Sequence, residues 1–147
     1  MVDRVVVLRV GEHLLSLPFS HVDEILSTSR AVAGSDLPEG IVPDGTPQSL
    51  WISSRGRWLG VRELLPGQEM NDRSQVVVVT FNKETRAFVV DQVLGIEKTG
   101  ALASFPRMLE AFMDIPFAGI RFLKDRTVLE LDLSRLISLD IGGAQAD

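Results

Sequence analysis

Few side chains in this sequence could carry covalent chemistry. It contains no cysteine, which removes thiolate nucleophiles, disulfides and Cys-ligated metals. His13 and His21 are its two imidazoles. Neither stands in an HxxxH or HxxEH arrangement, so the spacing gives no zinc site. No GxSxG elbow, Walker loop or GxGxxG after a strand occurs. Asp91 is the one carboxylate placed after an apolar strand, in AFVVDQV. A general acid or base there needs a partner and a pocket, and the sequence names neither. The simpler expectation is an aspartate that accepts hydrogen bonds from turn amides where two strands meet. A small hydrolase using Asp91 or a His pair is the remote alternative.

Binding chemistry is better represented. Trp51 and Trp58 fall on opposite arms of one hairpin. Packing over a barrel core is expected of Trp58, while Trp51 is equally suited to an interface. Between them, Ser53-Ser54-Arg55-Gly56 reads as a tight turn. Such a turn lifts a guanidinium with five donors clear of the sheet, a form favoured at interfaces.

A net charge of -5 and the lack of any basic run argue against nucleic acid or an anionic membrane surface as partner. The apolar run in MVDRVVVLRV is short and broken by Arg4 and Arg9. It fits neither a signal peptide nor a membrane span. The expectation is a cytoplasmic protein with no cofactor. At 147 residues and 45% apolar, the chain suits one domain, or two small subdomains sharing a core.

The elements that must position these groups read as strands. Val5–Val10 and Leu14–Leu17 flank the turn Gly11-Glu12, and Pro18 ends the second strand. PFSHVDEIL reads as a short turn of helix or an irregular edge strand. Ser27–Pro47, with three prolines, reads as a surface loop. Leu50–Ile52 and Trp58–Val61 form a hairpin, Arg62–Leu65 a brief strand or bend, and Gln68–Ser74 a polar linker. Val76–Phe81 and Ala87–Val90 form another hairpin around Asn82-Lys83-Glu84-Thr85. Val93–Glu97 follows as a strand. Pro106–Met113 reads as a short helix. Gly119–Leu123 pairs with Thr127–Leu131, and Ser134 is placed to cap a turn carrying Leu136 and Ile137. About nine short strands at this spacing point to an all-β barrel or sandwich. No internal repeat stands out.

Taken in order, four segments resemble the CheW-like family of signalling adaptors. VVVLRVGEHLLSLPF followed by HVDEIL is similar to the family's opening hairpin and "VxEIL" segment. LWISSRGRWLGVRELL is similar to its Asn-Leu-Arg-Gly turn motif, with Arg55-Gly56 in register and Ser53-Ser54 where Asn-Leu is usual. Gly60 stands where the family has proline, and Trp58 is large for its place. FVVDQVLGI and AGIRFLKDRTVLELDLSRLI match the last two motifs.

The resemblance implies two SH3-like five-stranded β-barrel subdomains sharing a hydrophobic core, with a hydrophobic groove between them and one or two short helices. It implies one domain over residues 4–138 and a flexible tail over 139–147. It also implies a non-catalytic scaffold that binds the regulatory domain of a CheA-type histidine kinase and the cytoplasmic tip of a chemoreceptor, recruited to receptor arrays without inserting in the membrane. By motif, the implied partner-binding residues are Val22, Glu24, Ile25, Arg55, Gly56, Val89, Asp91 and Val93. A divergent member serving another partner, in motility, polarity or another kinase system, is the alternative.

Overall fold

The computed structural model describes residues 4–37, 50–65, 68, 70–104 and 117–137. The expected helix at Pro106–Met113, much of the Ser27–Pro47 loop and the C-terminal tail lie outside them. The first strands are β1 (Arg4–Val10), β2 (His13–Pro18), β3 (Val22–Ser27), β4 (Val32–Ala33), β5 (Leu50–Ser54) and β6 (Arg57–Glu63). Then come β7 (Gln75–Phe81), β8 (Glu84–Val90), β9 (Gln92–Lys98), β10 (Leu102–Ser104), β11 (Phe117–Phe122) and β12 (Thr127–Leu131). A five-residue helix, α1, spans 133–137.

Two six-stranded sheets result, in the orders β10-β11-β12-β2-β1-β9 and β3-β7-β8-β6-β5-β4. In each, the two outermost strands are halves of one bent segment. β3 passes through the 3-10 turn Thr28–Arg30 into β4. β3 pairs with β7 and β4 with β5, so the sheet curls closed. Likewise β9 bends at Thr99–Ala101 into β10, and these pair with β1 and β11 respectively. The bend needs glycine: a Cβ on Gly100 would stand 2.9 Å from the Phe122 carbonyl oxygen. That close approach lets Gly100 N–H donate to Phe122 O at 2.8 Å. Counting each bent segment once gives five strands per barrel, as the family resemblance implies.

The barrels repeat one topology. In the second, the bent strand β3/β4 pairs with β7 and β5, and β8 runs parallel to β6. In the first, the bent strand β9/β10 pairs with β1 and β11, and β2 runs parallel to β12. The N-terminal hairpin β1–β2 therefore plays in the first barrel the part that β7–β8 plays in the second. It completes a barrel whose other strands come from the far end of the chain.

This explains the four-residue apolar runs Val5–Leu8 and Val76–Val79. Alternate residues of β1 and β7 face opposite sides, and here both sides are buried. Val6, Leu8 and Val10 meet Val77, Val79, Phe88, Phe117 and Leu131 in a core shared by both barrels. Val5 and Val7 turn into the first barrel with Val128. Val76 and Val78 turn into the second with Leu26, Ile52 and Leu59. A strand buried on both faces has no place for a polar alternate.

Several sequence expectations are refined. The turns are shorter than expected: Asn82 and Lys83 alone connect β7 to β8, with φ of 51° and 68°. Arg55 and Gly56 alone connect β5 to β6, at 50° and 80°. Two positive φ angles match the twist of a two-residue hairpin, so Ser53, Ser54, Glu84 and Thr85 join the strands. PFSHVDEIL contains both expected forms, a 3-10 turn at Phe19–His21 and then edge strand β3. β4 lies inside the expected Ser27–Pro47 loop; two residues are too few to register as periodicity. The cap of α1 is Asp132, whose Oδ1 accepts from Arg135 N–H at 3.2 Å, and Ser134 lies within the helix. Trp51 is only 3% exposed while Trp58 is half-buried, the reverse of the expected ranking.

Candidate functional site

The residues singled out by motif fall into two groups on different elements. The first surrounds β3 and the β5–β6 turn. The pairing of β3 with β7 shifts between Val22 and Glu24. That bulge leaves Asp23 as the extra residue and re-aims its neighbours. Val22 packs on the shared core. Ile25 remains 38% exposed on an edge strand. Glu24 Oε1 accepts from Ser54 Oγ at 2.6 Å, and Asp23 accepts from the Thr80 hydroxyl. Arg55 donates through Nη2 to the Asp23 carbonyl oxygen at 3.1 Å. Its Nε lies 4.0 Å from Glu24 Oε1. Two-thirds of the Arg55 side chain is exposed (68%). The guanidinium is therefore steadied on one side and open on the other. Gly56, at φ 80°, supplies the left-handed conformation that completes the turn.

The second group lies where β8 passes into β9. Val89 is buried, and its carbonyl oxygen accepts from Gln68 Nε2. Val93 is half-buried against the shared core. Its N–H donates to Gln75 Oε1 at 2.7 Å. Asp91 Oδ2 accepts from Gly11 N–H at 2.6 Å and lies 3.6 Å from Arg9 Nη1. Asp91 N–H donates to Arg9 O at 2.9 Å. The aspartate thus serves the tip of the N-terminal hairpin, as expected of a carboxylate at a meeting of strands.

Asp91 also lines an open cleft of about 670 Å³ with Arg9, Glu12, His13, Gln68, Asn71 and Arg73. Two arginines face two carboxylates, so the cleft has no strong charge bias. Gln68 is committed, its Oε1 accepting from Leu64 and Leu65 N–H. Asn71 Oδ1 accepts from Arg73 N–H. His21 is engaged elsewhere, with Nδ1 3.1 Å from the Thr80 carbonyl oxygen and its ring edge-on to Phe81 at 5.4 Å. His13 and His21 thus occupy different sites. Among the described residues no group of three or more His, Asp or Glu side chains could hold a metal. No helix among them is long and apolar enough to cross a membrane.

Motif reading missed three features. Asp23, Thr80 and Ser54 bind the Arg55 turn together, and the bulge that gathers them leaves no mark in a pattern of apolar residues. In the first barrel, Arg126 of the β11–β12 turn is ion-paired with Glu97 of β9. That repeats the turn-arginine and edge-strand carboxylate of the second. A buried pair, Arg121–Glu130, sits on β11 and β12 with Nε–Oε1 at 2.9 Å.

A family model for the CheW-like domain matches residues 4–140. The chain belongs to the CheW-like family. Its fold is that of a solved relative, the scaffolding protein TtCheW from Thermoanaerobacter tengcongensis. The two are 18% identical, the match covers 89% of each chain, and the TM-score is 0.62. A search of curated protein sequences finds no match. CheW-like domains are scaffold modules of chemotaxis signalling and carry no catalytic centre. This CheW-like chain is a scaffold and coupling protein of that kind, and its work is protein recognition.

Proposed function

We propose that this CheW-like protein is a cytoplasmic coupling adaptor that joins a chemoreceptor-like protein to the regulatory domain of a CheA-type histidine kinase. The supporting observation is the matched domain built as two like barrels around one shared core. A body packed in this way holds separate surfaces at a fixed angle, which a passive coupler requires. The groups around Ile25 and Arg55, and around Val93, are the proposed docking residues, with Val89 buried beneath the second group. A helical receptor tip in the expected groove would read an exposed apolar anchor such as Ile25, with Arg55 at the rim. The test is capture of a purified kinase regulatory domain and a purified receptor tip by wild type and by Arg55→Ala. Loss of at least one interaction in a folded Arg55→Ala supports the assignment. Undiminished binding of both removes Arg55 from the site.

A second reading keeps the scaffold and changes the partner. Ser54 stands where the family motif has leucine, and its hydroxyl occupies the Glu24 carboxylate. An apolar residue of the family's turn motif is thereby replaced by an internal hydrogen bond. Binding of the kinase domain without binding of the receptor tip would favour this reading.

A further inference from the structure

The chain passes between barrels by short crossovers, and the two among the described residues meet corresponding carbonyl oxygens, one through a backbone amide and one through an imidazole. β2 leads to β3 through Phe19–His21, and β8 leads to β9 through Asp91 alone. Aligning the barrels by strand register equates Leu8, which faces Val93, with Val79, which faces Val22. Arg9 then corresponds to Thr80. The crossovers bind these two carbonyl oxygens: Arg9 O accepts from Asp91 N–H at 2.9 Å, and Thr80 O lies 3.1 Å from His21 Nδ1. Asp91 adds a second grip through its carboxylate on Gly11 N–H. Arg9 stands beside it at 3.6 Å. Gly11 is 80 residues away in sequence and belongs to the hairpin of the first barrel, which the chain enters at β9 as it leaves the second at β8.

We propose that Asp91 is a positioning residue. By fastening the crossover to the tip of the N-terminal hairpin, it sets the orientation of one barrel against the other. This rests on the scaffold reading above, because an adaptor that holds two partners at a fixed angle depends on that orientation. It also reassigns Asp91, which acts through Gly11 and Arg9 and need touch no partner. Asn at this position keeps an oxygen for Gly11 N–H, whereas Ala keeps none.

The experiment compares wild type, Asp91→Ala and Asp91→Asn by residual dipolar couplings and amide exchange on the full chain. In Asp91→Ala, Gly11 N–H is expected to exchange about tenfold faster or more. Couplings within each barrel should hold while the relative orientation of the barrels shifts or broadens. Asp91→Asn is expected to restore the Gly11 protection and most of the orientation. An unchanged orientation in a folded Asp91→Ala overturns the proposal, as does an Asn variant that behaves like Ala. If Asp91→Ala fails to fold, Asp91→Asn decides: wild-type protection at Gly11 and wild-type orientation support the proposal, and loss of either overturns it. No partner enters these readings. Failure of kinase or receptor capture by wild type would therefore count against the scaffold reading and leave this test standing.

Discussion

At Arg55 a left-handed backbone and an exposed guanidinium coincide. Non-glycine residues avoid φ near 50°, so a glycine or asparagine would suit this place in the turn better on backbone grounds. An arginine held there by Asp23 O and Glu24 fits a role at the surface. Arg55→Ala is expected to shift stability by no more than about 0.5 kcal/mol, as for most exposed substitutions, while weakening one partner about tenfold or more. Chemical denaturation and binding titration of the same sample separate the two effects. Gly119 is the opposite case. A Cβ there would meet Ala103 O at 2.2 Å, inside van der Waals contact with backbone that cannot yield. Gly119→Ala is expected to cost roughly 3 kcal/mol or more and to free β10 from β11, seen as lost amide protection across the β10–β11 pair. Arg55 was legible in the sequence because turn residues announce themselves by type. The need for glycine at 119 was not, because it arises from a strand that meets it only after folding.

Among the elements, hairpins give the clearest test of how turn chemistry sets register. Asn82-Lys83 forms its two-residue turn with Lys83 at φ 68°, a conformation glycine adopts without steric cost. Lys83→Gly is expected to raise stability by about 1 kcal/mol, read from the denaturation midpoint. The hairpins β1–β2, β5–β6 and β7–β8 were visible from their β-branched runs and turn residues. β4 and β10 were not, since strands of two and three residues are too short for alternation to show. The β11–β12 pair carries the buried ion pair Arg121–Glu130, whose side chains are 9% and 5% exposed. Removing one partner strands a charge, so Glu130→Leu is expected to cost roughly 3–5 kcal/mol. Adding Arg121→Met should recover much of that loss, and a double-mutant cycle by thermal unfolding measures the recovery.

For the molecule as a whole, the decisive feature is the core that both barrels share. Leu8 lies in it and Ile52 lies inside the second barrel. Because β7 faces both clusters, the barrels should unfold together. Leu8→Ala and Ile52→Ala are each expected to cost roughly 2–5 kcal/mol and to move one common transition, followed by denaturation with probes in both barrels. Two separated transitions would show independent barrels. The family resemblance implied this architecture, but no internal repeat showed in the residues, because the first barrel is assembled from both ends of the chain and the repeat is circularly permuted. What the sequence did show was the need: Val5–Leu8 and Val76–Val79 are apolar at successive positions, which burial on both faces explains.

A rigid body with separate recognition surfaces should engage its two partners at once. Sedimentation velocity of this protein with a purified CheA-type regulatory domain and a purified receptor tip tests that directly. The expected result is a ternary species heavier than either binary complex, with neither partner displacing the other. Mutual exclusion of the two, or binding of neither, would contradict the coupling role.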